Sequence, residues 1–191
     1  MPKQRKQQII RAAVKRFARH GQGKTTLDEI ARDVRIGKAT IYHYFESKDE
    51  LFIESLKWET NQFIDDIKAI FNNEELAVGA RLLEYISYKE HIDTRYKLLF
   101  NLILKLVEDE SFETEKEIMK KMLIREEEIV KLVLSSIYSN RLEAMSESLP
   151  NFIVTSSWGA FFGNKINNIS HPDRILNIRE FVFKSLENIL S

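Results

Sequence analysis

Apolar residues recur at every third or fourth position from early in the chain. Ile9, Ile10, Ala13, Val14 and Phe17 form one stripe with basic residues between them, which predicts a first helix from about Lys3 to His20. Gly21 stands where a helix C-terminus favours glycine, and "GQGK" follows as a short loop. Thr26 is placed to cap a second helix, "LDEIARDV", whose Asp28 and Glu29 lie in the first turn where the helix dipole favours acids. "RIG" is a tight connection to a third helix, Lys38 to about Phe45. Ser47, with Glu50 three residues on, is a capping-box start for a fourth, which continues to about Phe71. "NNEE" then interrupts the pattern and marks a candidate domain boundary. Beyond it the periodicity predicts five more helices, at about 75–88, 92–108, 112–139, 147–168 and 172–190.

The third helix has an inside and an outside. At 100° per residue Ile41 and Phe45 share one side, with Ile36 just before them. They can pack on Leu27, Ile30, Ala31 and Val34 of the second helix and on the Phe17 stripe of the first. Ala39, Thr40 and His43 then face away, and Tyr42 and Tyr44 flank them. Two short helices joined by a four-residue connection fit a helix-turn-helix. Thr40 and His43 can reach base edges in a major groove, and Ala39 or the Thr40 methyl can meet a thymine methyl. The Tyr42 and Tyr44 hydroxyls can donate to phosphates on either wall, and Lys38 and Lys48 stand at neighbouring helix starts. Thr26, beside free N–H groups at the second helix's amino end, is a further phosphate candidate. Each has a plainer alternative: Tyr42 can merely cover the helix packing, and His43 can be a solvated surface residue. "KQRK" at residues 3–6 can lie against phosphates or simply fray, and the same holds for Lys24 as a backbone contact.

Charge sharpens this picture. Residues 1–50 hold 12 Lys or Arg against 6 Asp or Glu, a surplus of +6; the rest holds 17 against 23, a net −6. A basic head on an acidic body fits a head that meets a polyanion. Gly at 6 and Pro at 3 leave few helix breakers, so the expected class is all-α. The chain has no cysteine, which removes thiolate chemistry and suits a reducing compartment. No uncharged apolar run approaches 18 residues, and the charged "MPKQRKQQII" leads into no signal-peptide core, so a soluble, cytoplasmic protein is expected.

With these residues in place, a resemblance is clear. "IIRAAVKRFARHGQGKTTLDEIARDVRIGKATIYHYFESKDELF" resembles the DNA-binding domain of the TetR family of transcriptional repressors. The match rests on Ala12, Ala13, Phe17, Gly21, Thr25, Thr26, Ile30, Ala31, Ile41, Tyr42, Phe45, Lys48 and Leu51, at fixed spacings over about residues 8–52. Carried over position by position, the resemblance implies DNA contacts from Thr26, Lys38, Ala39, Thr40, Tyr42, His43, Tyr44 and Lys48. Arg35 departs from the glycine usual in the turn, and Gly37 from the serine common at the helix cap; this puts the turn geometry in question. The implied organisation is a helix-turn-helix domain at 1–50, a connecting helix to about 71, and a helical effector-binding and dimerisation domain over 51–191.

The body supports both of those roles physically. "PNFIVTSSWGAFFGNKI" and "ILNIREFVFKSLENIL" are the most apolar helices, and paired between two chains they would form a four-helix bundle. Ser157, Ala160, Phe161, Phe181 and Leu186 are the candidate interface residues. A homodimer also suits the head, since two helix-turn-helix units about 34 Å apart read a palindrome. Candidate pocket residues are Trp58, Phe63, Tyr85, Tyr88, Tyr96, Phe100, Phe112 and Trp158, though aromatics at helical spacing are more often core. Few cations interrupt these helices, so the expected effector is a small, largely apolar molecule. The function implied is a repressor released from a palindromic operator by such an effector. Activation, or an effector that strengthens binding, stays open. No cofactor or metal is expected: His20, His43, His91 and His171 lack metal-ligand spacing, and no phosphate loop or nucleophile elbow argues for an enzyme. A helical protein-interaction module would explain the amphipathic helices but not the basic head.

Overall fold

A computed structural model of the chain describes residues 2–108, 112–137, 148–170 and 184. Among them it is all-α: α1 (Pro2–Lys24), α2 (Leu27–Asp33), α3 (Lys38–Tyr42), α4 (Lys48–Phe71), α5 (Val78–Lys89), α6 (Ile92–Arg95), α7 (Lys97–Glu108), α8 (Glu113–Ile137) and α9 (Ser148–Ser170). Gly21 has φ 76° and ψ 164°, so α1 is broken at the glycine and helical bonding resumes for one short turn. The expected last helix, 172–190, with Phe181 and Leu186, lies outside the described residues.

The chain divides into two compact units. The first comprises Met1–Phe63 and Ile92–Lys120, the second Ile64–His91 and Lys121–Ser191. The core of the first unit is the α1 stripe of Ile9, Ile10, Ala13, Val14 and Phe17, closed by Leu27, Ile30 and Ala31 of α2 and by Ile41 and Phe45. Phe17 meets Phe52 of α4 edge-on, centroids 5.2 Å apart. Leu98, Leu102 and Ile118 complete this core, and Asn101 donates to the Ala18 carbonyl at 3.0 Å. At about 1.5–3 kcal/mol per fully buried large side chain, this cluster is what holds the short α2 and α3 in place. In the second unit Leu82, Tyr85 and Ile86 of α5 are buried, as are Met122, Ile129 and Val130 of α8 and Ile153, Val154 and Phe161 of α9. Phe71 packs on Tyr85 at 5.2 Å, and Arg81 donates to the Phe71 and Leu76 carbonyls, satisfying the C-terminal end of α4.

Two spans differ from the sequence expectation. The third helix stops at Tyr42, with His43 and Tyr44 in a turn, rather than reaching Phe45. The single helix expected over 92–108 is divided at Tyr96. Its second part begins against a carboxylate from another helix: Glu59 of α4 accepts from the Leu99 N–H at 2.5 Å and also from Leu98. Those N–H groups are otherwise orphans of a helix start, so a distant acid makes a break that no local glycine or proline announces.

Candidate nucleic-acid interface and the buried C-terminal cluster

The head positions α3 through caps and long-range hydrogen bonds. Thr26 and Glu29 form a complete capping box: the Glu29 N–H donates to the Thr26 hydroxyl and the Thr26 N–H to the Glu29 carboxylate. The hydrogen bonds from Thr26, then the nearby Arg16 and Arg32, hold Glu29 below the usual carboxylate range. Arg16 grips Asp33 with two bonds of 2.7 and 2.8 Å, which lowers that carboxyl in turn. The buried Thr25 hydroxyl donates to the Gly21 carbonyl at 2.8 Å, clamping the kink at the end of α1.

The recognition surface follows from which α3 residues that core consumes. Ile41 and Phe45 are fully buried, and Tyr44 is half-buried and packs against the same cluster. Tyr42 is 51% exposed, and Lys38, Ala39 and His43 are exposed beside the half-buried Thr40. Tyr42 and Tyr44 therefore do not flank the outer face equally. The Lys38 ammonium donates to Asp28 at 2.8 Å, and that bond raises its pKa. Lys48 is half-buried and donates to the Gln22 and Thr25 carbonyls at 2.9 and 3.2 Å, so it ties α4 to the end of α1. The Thr26 hydroxyl faces its own capping carboxylate at 2.9 Å. Ser47 caps α4 through the Glu50 N–H, while the Glu50 side chain reaches the Glu46 N–H. The turn carries its strain at Arg35, whose φ of 54° is the left-handed region, and Gly37 caps α3 with no side-chain bond.

The aromatic candidates of the body are split between the units. In the first, Phe63 is fully buried and meets Tyr96 edge-on at 5.6 Å; Trp58 lies under the Arg11 guanidinium at 5.8 Å; Phe100 is half-buried; and Phe112 carries the Lys105 ammonium 3.5 Å above its ring. In the second, Tyr88 donates to Asp66 at 2.5 Å. Tyr85 and Trp158 come together around a buried ion pair, Lys89 and Glu126, both fully inaccessible. The Tyr85 hydroxyl donates to Glu126 at 2.5 Å, the Trp158 indole donates to the other Glu126 oxygen at 3.1 Å, and Lys89 donates to the Ser157 hydroxyl at 2.7 Å. The Lys89 ammonium also lies 4.7 and 4.5 Å from the Tyr85 and Trp158 ring centroids. Burial pulls its pKa down to about 8 against the opposing pull of Glu126, and burial next to that carboxylate pushes the Tyr85 phenol well up.

Lys89 and Glu126 were missed as candidates, and the expectation of few cations in this region needs correcting at Lys89. The signal was present in the spacing. Lys89 continues the buried Leu82, Tyr85, Ile86 stripe, and Glu126 continues Met122 toward Ile129 and Val130. Of the interface candidates, Ser157, Ala160 and Phe161 are buried, while Phe152, Thr155 and Gly159 of α9 are exposed.

Residues 9–54, the segment that builds this head, match the bacterial regulatory proteins of the tetR family. The head is a TetR-family DNA-binding domain. A relative is the biofilm operon icaADBC negative transcriptional regulator IcaR of Staphylococcus epidermidis, 38% identical over 60 residues, which cover 31% of this chain and 32% of IcaR. The curated relatives are thus matched over about a third of their length or less. The fold likeness runs further. Reduced NemR of E. coli superposes with a TM-score of 0.74 over 97% of both chains at 16% identity. FadR of Bacillus subtilis, solved in complex with stearoyl-CoA, does so with 0.64 over 96% of both at 19%. The likeness of fold, an N-terminal helix-turn-helix followed by a helical C-terminal domain, therefore runs well past the matched sequence.

Proposed function

We propose that this chain is a homodimeric TetR-family transcriptional repressor that acts in the cytoplasm and leaves a palindromic operator when a small, largely apolar effector binds. The observation that carries the reading is the division of α3. Ile41 and Phe45 anchor it, while Ala39, Thr40, Tyr42 and His43 are left on the outside of a basic head. Thr40 and His43 read base edges, and Ala39 sits against the groove floor. Tyr42 and Lys38 take phosphates, Lys38 after letting go of Asp28. Thr26, Tyr44 and Lys48 act at the border of the contact, chiefly by fixing the orientation of α3 and α4. In this division of labour residues 1–50 bind DNA, α4 connects, and 51–191 bind effector and dimerise.

Tyr85 and Trp158 around Lys89 and Glu126 place a few fixed polar groups among buried apolar side chains, the mix of residues that an effector site in this unit would draw on. A hydrocarbon-rich effector with one polar end suits such surroundings, and stearoyl-CoA on a protein of similar fold is a molecule of that kind. For the dimer, the exposed Phe152, Thr155 and Gly159 face of α9 is the surface a second chain would cover. The effector must favour the released state by about 5.5 kcal/mol to take a population from 1:99 to 99:1.

The test is titration of the protein against labelled DNA from upstream of its own coding region, at two salt concentrations, followed by footprinting. A protected palindrome with one half-site per chain is the expected result. Binding that stays sequence-independent would remove the operator-specific part, and no binding at low salt would favour a protein-interaction module.

A further inference from the structure

The head carries a second basic feature apart from α3. An open groove of about 610 Å³ runs along α1 and ends at the turn before α3, and its lining includes Arg5, Gln8, Arg11, Lys15, Asp33 and Arg35. Four cations thus face one acid, and that acid is already engaged: Asp33 accepts two bonds from Arg16. Among the described residues, none of the four cations forms an ion pair. Arg5 donates to Gln8 at 3.0 Å, Arg11 lies over Trp58, and Lys15 and Arg35 are exposed.

We propose that this groove holds a phosphodiester strand of duplex DNA beyond the base pairs that α3 reads. The inference rests on the DNA-binding reading above and adds a second site to it. The lining from Arg5 to Lys15 extends ~15 Å along α1 at the helical rise of about 1.5 Å per residue. One strand presents a phosphate every 3.4 Å or so of duplex axis, so a row of cations this long matches several successive phosphates rather than one free anion. Arg35 joins the two sites, because it lies in the groove and only three residues before Lys38 at the start of α3. Its left-handed backbone gives that position a meaning: the turn tolerates glycine sterically, yet here it holds a guanidinium that glycine cannot supply.

Arg35 also makes the test clean, since Arg35→Gly suits a φ of 54° and Lys15→Ala removes only an exposed side chain from a helix. Binding of the full chain to a labelled duplex of arbitrary sequence is measured from 50 to 200 mM salt. The wild type is compared with the Arg35→Gly/Lys15→Ala double variant and with Lys68→Ala/Lys131→Ala, which removes the same charge from the other unit. Each lost phosphate contact lowers the log–log salt slope by about 0.9, so the groove variant should lose roughly 1.8. The wild type's affinity would then fall roughly twelve-fold more than the variant's across that range, and the control should track the wild type. Equal slopes for all three proteins, with binding intact, would overturn this inference alone. A wild type that binds no duplex at 50 mM salt would overturn it together with the DNA-binding reading. Saturable binding of inorganic pyrophosphate that the groove variant loses, with the DNA slope unchanged, would reassign the groove to a small phosphorylated ligand and overturn the strand assignment.

Discussion

Glu59 offers a prediction whose sign and size both come from the structure. Its carboxyl is buried in the first unit, where the Leu98 and Leu99 N–H groups favour the ionised form, but desolvation outweighs them and raises the pKa to about 7 from 4.5. Between those two values the native state holds a proton that the unfolded chain has released. Stability therefore falls as pH rises, with the Glu59 contribution full below pH 4.5 and lost through pH 7. At 1.36 kcal/mol per unit, the shift corresponds to about 3 kcal/mol. Glu59→Gln keeps a carbonyl oxygen for the α7 amides and cannot ionise. Urea unfolding of both proteins, followed by circular dichroism at pH 5, 6, 7 and 8, isolates this group as the difference between them. The variant should gain on the wild type by about 2.5 kcal/mol between pH 5 and pH 8. A difference constant to within about 0.5 kcal/mol would refute the reasoning. A variant that loses ground as pH rises would show that the helix amides, not burial, dominate.

Three further outcomes follow from the hydrogen-bonding pattern. Glu126→Gln leaves Lys89 buried without its counter-ion and should cost about 3–5 kcal/mol in urea unfolding, whereas Lys89→Met/Glu126→Gln, which keeps an amide oxygen for the Tyr85 and Trp158 donors, should cost clearly less; equal losses from both would show that the missing counter-ion is not the cause. Lys48→Ala removes two bonds to main-chain carbonyls and should cost about 1–3 kcal/mol, visible as faster amide exchange at Gln22 through Thr26. Asp28→Asn frees Lys38 and removes a negative charge beside the DNA face, so duplex affinity at low salt should rise; an unchanged or lower affinity would place Lys38 outside the contact.

How far the sequence could be read depended on whether the determining contacts were local. The Phe17 stripe, the Thr26 cap and the Ile41–Phe45 anchor lie within a few turns of one another, and their periodicity gives the head directly. The break at Tyr96 depends on Glu59, 40 residues from Leu99, and nothing near the break signals it. Lys48 was legible as a cation at a helix start, but its half-buried seat on the Gln22 and Thr25 carbonyls belongs to the tertiary fold. Lys89, Glu126 and Glu59 share a pattern that periodicity alone can flag: a charged residue in the buried stripe of its helix. Tyr85 and Trp158 are legible as aromatics, and the ion pair beside them explains why their polar ends are buried too.

The central claim is that α3 reads bases while other cations of the head supply sequence-independent affinity. Its most direct test is the ratio of operator to random-duplex affinity for the wild type and for Thr40→Ala/His43→Ala, at one fixed salt concentration. Loss of two base contacts at about 1–3 kcal/mol each should cut that ratio by at least roughly thirty-fold while leaving random-duplex binding within about two-fold. An unchanged ratio, or equal losses on both DNAs, would contradict the assignment of α3 as the reading helix.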